Sequence, residues 1–195
     1  NKCPARGVKY RNPIWRTTLN PMLETHEIET GVNPSISIIW LHGLGADGFD
    51  FAPIVPELVR KNWPAIRFVF PHAPVRAVTI NNGVRMRAWY DIKSFDFNQR
   101  ADETGVRESM QQVEALITRE NERGIPESRI FLVGFSQGGA IALAAGLRRE
   151  AGLAGIESCK ARRWLASLVK QSAYKANCCS SHVAMSDISS AQTAC

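Results

Sequence analysis

Ser136 stands at the centre of Gly134-Phe135-Ser136-Gln137-Gly138, a G-x-S-x-G pentapeptide. The apolar run IFLV (130–133) precedes it and the small-residue segment GGAIALAAG (138–146) follows it. A serine hydroxyl is a weak nucleophile at neutral pH and needs a base to take its proton. In a strand–turn–helix context, glycines let the backbone close up around a nucleophile held on a strained turn. The plainer alternative is a serine that caps the following helix. Acyl transfer also needs two N–H donors aimed at the developing oxyanion. The N–H of Gln137 is one candidate. His42-Gly43-Leu44-Gly45, which closes the apolar run ISIIWL (36–41), offers a second through Leu44. An ordinary turn with permissive glycines is the alternative reading of that loop.

A base is harder to find. Beyond Ser136 the only acids are Glu150, Glu157 and Asp187, and the only histidine is His182. Asp187 follows His182, the reverse of the Ser, Asp, His order that this motif uses. No apolar strand leads into either, so His182 reads as a tail residue. His26, His42 and His72 read as turn or packing residues. Cys3, Cys159, Cys178, Cys179 and Cys195 all lie toward the ends, and their spacing fits neither a disulfide framework nor a zinc site. No metal and no cofactor is expected.

The elements that would position Ser136 are legible as alternating strand and helix signals. ISIIWL (36–41), IRFVF (66–70) and IFLVG (130–134) read as buried strands. FDFAPIVPELVRK (49–61) opens a helix with its prolines near the start. Val84, Met86, Ala88, Tyr90 and Ile92 alternate with Arg85, Arg87, Trp89 and Asp91, as in a half-exposed strand or hairpin. Val106, Met110, Val113 and Ile117 recur at helical spacing over 104–123, with Thr104 as the expected cap and Gly124 and Pro126 ending the helix. Strands separated by helices predict an α/β fold, a mostly parallel sheet with helices on both faces.

Charge and composition divide the chain into three parts. Residues 1–21 carry +5, residues 157–195 carry +3, and the 135 residues between carry −2. A basic face interleaved with folded elements is missing, which argues against a nucleic-acid partner. No apolar run is long enough to span a bilayer, and the first residues lack the apolar core of a signal peptide. Met22 is a candidate translation start. After residue 156 every Gly and Pro disappears, while eight Ser and four Cys crowd into 39 residues. The expected organisation is an unstructured extension over 1–21, a folded body over 22–155 and an unrelated tail over 156–195.

IIWLHGLGADG, FVFPHAPV, RMRAWYDI, ADETGVRES and GFSQGGAIAL, in this order, resemble the phospholipase/carboxylesterase family of α/β-hydrolases, which includes acyl-protein thioesterases. The likeness runs from about Met22 to Ile156. It implies an α/β-hydrolase fold that is incomplete at the C-terminus. It also implies a serine esterase or thioesterase with Ser136 as nucleophile and Leu44 and Gln137 as oxyanion donors. Trp89 and Tyr90 would then lie near the acyl-binding cleft; their alternative place is the core beneath the sheet. The implied substrate is a small-molecule or acylated-protein ester or thioester, handled in the cytoplasm without stable membrane insertion.

The family completes its triad downstream with an Asp after a later strand and a His after the last one. Neither pattern occurs here, and a frameshift near residue 155 would explain the composition break and the missing triad together. These 195 residues are therefore expected to be inactive, since losing the base costs about as much as losing the whole triad. Without later strands, the strand leading to Ser136 is expected to lose its neighbours on one side. A non-catalytic hydrolase-like protein that binds acyl ligands or a partner is the alternative function.

Overall fold

The computed structural model describes residues 22–94, 102–149 and 152–159. The extension at 1–21 and the tail beyond 159 lie outside the described residues. Five strands form the main sheet: β1 (Thr25–Glu29), β2 (Ile36–Leu41), β3 (Ile66–Pro71), β6 (Ile130–Phe135) and β7 (Gly155–Cys159). Their order is β1-β3-β2-β6-β7, with β1 antiparallel to β3 and the remaining pairs parallel. Strands β4 (Val75–Val78) and β5 (Val84–Arg87) make a separate antiparallel hairpin. The helices are α1 (Val55–Leu58), α2 (Glu103–Glu122) and α3 (Gln137–Gly146).

Alternation along the central strands sends side chains to two faces. Ile39 and Leu41 of β2 join Val69, Ile130 and Leu132 in a core closed by α2 and α3. Ile36, Ile38 and Trp40 face the other way, onto Phe68, Phe70 and α1. The sheet is thus mostly parallel with helices on both faces. Among the described residues, no helix is long and apolar enough to cross a membrane.

Four expectations need correction. The segment 49–61 forms only a 3₁₀ turn (Ala52–Ile54) and the single helical turn α1, because Pro53 and Pro56 each sit where a helix starts and Val59 is already extended. The alternation over 84–92 stops at Arg87; Ala88, Trp89 and Tyr90 are all buried, which no strand with one wet face permits. Helix α2 is capped by Asp102 rather than Thr104, its carboxylate accepting the Gly105 N–H at 3.0 Å. Finally, β6 keeps a neighbour on each side. Strand β7, which straddles the composition break, pairs with it from Phe131↔Gly155 to Phe135↔Cys159. Two further elements gave no signal in the sequence, β1 and β4.

Candidate active site

Strand β6 runs into α3 through one residue, Ser136, whose backbone adopts φ +51 and ψ −113. That conformation is strained for any residue with a Cβ. Ser136 occupies the N-cap position of α3, yet its side chain makes no capping hydrogen bond. The hydroxyl is exposed, and among the described residues no hydrogen bond occupies it. The capping alternative therefore does not hold.

The flanking glycines are dictated by contact. A Cβ on Gly134 would come within 2.5 Å of the Gly138 and Gly139 backbone, and one on Gly138 would overlap the carbonyl oxygens of Leu41 and His42. The first turn of α3 therefore presses against the end of β2. The same closeness brings the 42–45 loop to Ser136: a Cβ built on Gly43 would stand 3.7 Å from Ser136 Cβ. The loop is held from its far side by Gly45 N–H donating to Arg87 O at 2.9 Å. Neither the Leu44 nor the Gln137 N–H has a hydrogen-bond partner among the described residues. Gln137 is the first residue of α3, where such N–H groups are left unpaired and the helix dipole is positive.

A buried network underlies this surface. The Gln137 carboxamide accepts from Trp89 N–H at 2.9 Å and donates to Tyr90 O at 2.8 Å. The Trp89 indole donates to His42 O at 2.9 Å, and Ser109 Oγ donates to Trp89 O. His42 Nδ1–H donates to Gly43 O at 2.7 Å, while its Nε2 accepts from Ala73 N–H at 3.0 Å. Both ring nitrogens are committed, one as donor and one as acceptor, so the ring is held neutral. Burial also pushes its pKa below the ordinary 6.5. Trp89 and Tyr90 are part of the main core, at 0% and 3% exposure. Burial drives the Tyr90 phenol pKa upward.

The structure brings Ser136, Gln137 and the 42–45 loop together, and it sets Trp89 and Tyr90 beneath them. The other described histidines make no hydrogen bond to Ser136. His72 Nδ1 accepts the Gly48 N–H at 3.1 Å, and His26 lies against Phe49, 4.8 Å between ring centroids. His182 and Asp187 lie outside the described residues. Among the described residues, no three His, Cys, Asp or Glu side chains gather as a metal site requires. The Gln137 carboxamide, Ser109 and Arg87 are the positioning groups that sequence reading missed. Their partners, Trp89 for the first two and the Ala73 carbonyl for the Arg87 guanidinium, lie 48, 20 and 14 positions away, beyond any local pattern.

A family model described as Phospholipase/Carboxylesterase matches residues 24–193. Acyl-protein thioesterase 1 of Schizosaccharomyces pombe is 43% identical over 129 residues, 64% of this chain and 57% of that protein. The acyl-protein thioesterase 1 homolog 1 of Dictyostelium discoideum is 42% identical over 110 residues, 56% of this chain and 49% of its own. Among solved structures, Arabidopsis thaliana SOBER1 superposes with a TM-score of 0.58 at 36% identity, covering 62% of this chain and 59% of that one. Zea mays acyl-protein thioesterase 2 gives 0.55 at 29% identity, over 64% and 51%. The chain thus spans about half the length of the curated relatives it matches. With a match that covers most of its length and a serine turn built as described, the chain belongs to the phospholipase/carboxylesterase family.

Proposed function

We propose that Ser136 is the nucleophile of a carboxylic ester or thioester hydrolase, and that Leu44 and Gln137 N–H groups receive the oxyanion. The observation that carries this reading is the backbone of Ser136. Such strain at an exposed residue whose hydroxyl caps nothing suits a nucleophile, and Gln137 next to it and Leu44 in the adjoining loop both have N–H groups without a partner among the described residues. On attack, Oγ bonds to the acyl carbon and the carbonyl electrons move onto oxygen. The oxyanion electrons then re-form the carbonyl as the C–O or C–S bond breaks; the leaving group departs as an alkoxide or thiolate, takes its proton from water, and leaves an acyl-serine that water hydrolyses. Trp89 and Tyr90 serve here as backbone anchors for Gln137, and through it for the donor that follows the nucleophile. An acylated protein or a small acyl ester is the substrate class this reading implies.

No described histidine hydrogen-bonds to Ser136: both His42 ring nitrogens are committed, His72 Nδ1 accepts from Gly48 N–H, and His26 lies against Phe49. We therefore assign slow turnover to these 195 residues, with the proton lost to hydroxide and the oxyanion donors supplying on the order of 10³–10⁴ over water. Treating the chain with p-nitrophenyl octanoate and weighing it intact tests this. The expected result is one octanoyl group on Ser136, absent in Ser136→Ala, accumulating at a rate that climbs with pH without levelling near neutrality. A plateau near pH 7 would reveal a histidine base. No acyl group at all would overturn the reading and favour a protein that only binds acyl ligands.

A further inference from the structure

The parallel strands have a second end, opposite Ser136. There, between the turn joining β1 to β2 and the turn leading into β3, lies an open groove of about 740 Å³. Val55 forms part of its buried floor, and Pro53 and Pro56 stand along one wall. The tight turn 60–63, closed by Trp63 N–H donating to Arg60 O at 3.0 Å, sets Arg60, Lys61 and the Trp63 indole at the rim. Trp63 is 48% exposed, a large apolar residue left in water.

Charge at this rim is uncompensated. Among the described residues neither Arg60 nor Lys61 joins an ion pair. Glu29, the acid among the lining residues, is already taken by Arg67 Nε at 2.7 Å. An occupant must therefore present one anionic head at the Arg60–Lys61 end and an apolar body along the rest. The proline wall has no N–H groups to offer, which disfavours an extended peptide whose backbone needs partners. The volume falls within the roughly 300–1,000 Å³ of small-ligand sites.

We propose that this groove is a second binding site, for a single-chain anionic amphiphile such as an alkyl carboxylate. The carboxylate would rest on Arg60 and Lys61, with the chain lying over Val55 and against Trp63. The site stands independently of the chemistry proposed for Ser136. Calorimetric titration of the full chain with monomeric dodecanoate, below its micelle-forming concentration, tests it. The expected result is one saturable site, at least tenfold weaker in Arg60→Gln/Lys61→Gln and in Trp63→Ala, and unchanged in Ser136→Ala. All three groove positions are exposed, so circular dichroism should show these variants folded. Equal affinity in the groove variants, equal binding of dodecanol, or no saturable binding would each overturn the proposal. So would adsorption to phosphatidylserine vesicles with no binding of monomeric dodecanoate, which would mark the rim as a membrane-facing surface instead.

Discussion

At Ser136 the backbone carries strain that a folding-only sequence would relieve. A residue held at φ +51 and ψ −113 costs on the order of 1–3 kcal/mol, and glycine escapes most of it at an entropic cost of roughly 0.5–1 kcal/mol. Ser136→Gly should therefore unfold at higher urea than Ser136→Ala, which keeps the Cβ, by about 1 kcal/mol. Equal stabilities would show that the turn is relaxed. His42 gives a second prediction. Burial lowers its pKa, so below the ordinary 6.5 the unfolded chain takes up a proton that the folded ring refuses. The stability from His42 is complete above pH 6.5 and drains away as pH falls from 6.5 toward the folded value. Nitrogen-15 imidazole shifts should show a neutral Nδ1–H ring at pH 6.5, and urea midpoints should drop between pH 7 and 5.5. A ring half-protonated at pH 6.5 would contradict the network drawn here. The glycine turn around Ser136 and the 42–45 loop were legible because their motifs are local; the bonds of the Gln137 carboxamide were not, because Trp89 and Tyr90 reach it only through the fold.

Elements with strong periodicity were the legible ones, and those defined by a partner were not. Strands β2, β3 and β6 are apolar enough to be read alone, whereas THEIE in β1 has one large aliphatic residue and exists by pairing with β3. The alternation over 84–92 held only as far as β5, which forms a hairpin with β4; beyond Arg87 period two is a chance pattern in a loop, and burial of Ala88, Trp89 and Tyr90 comes from α2 and α3. What fixes that loop to α2 is Asp102. Its Oδ1 caps the helix through Gly105 N–H, and its Oδ2 accepts Asp91 N–H at 2.9 Å. Asp102→Ala should consequently cost more than the ~1 kcal/mol of an ordinary cap. Asp102→Asn, which keeps an acceptor for the cap, should recover part of the loss. The near-UV signal of buried Trp89 should weaken in the alanine variant; an unchanged signal would mean that the loop is held without Asp102.

On the scale of the molecule, the sheet edge and the longest helix are joined by charge rather than by apolar packing alone. Glu120 of α2 is fully buried between Arg67 of β3 and Arg123, each at 3.0 Å. Glu27 of β1 meets Arg119 at 2.7 Å and Arg123 at 2.8 Å. Residues from three elements thus share one network, and none of it could be inferred from a sequence in which Glu27 and Arg123 stand 96 positions apart. Burial by itself would push the Glu27 carboxyl upward. The hydrogen bond from Arg123 and the charge of Arg119 outweigh it and hold the group below its ordinary 4.5. Below 4.5 the unfolded chain therefore binds a proton before the folded chain does, so the contribution of Glu27 is intact above 4.5 and is lost as pH falls through the folded value. Melting temperature should decline from pH 5 to pH 3 more steeply in the wild type than in Glu27→Gln, which begins lower because its arginines have lost a charged partner. Because this pair is partly exposed, 0.5 M salt should narrow the difference between the two proteins at pH 6. Parallel pH profiles for wild type and Glu27→Gln would mean that β1 is held by its ladder to β3 alone.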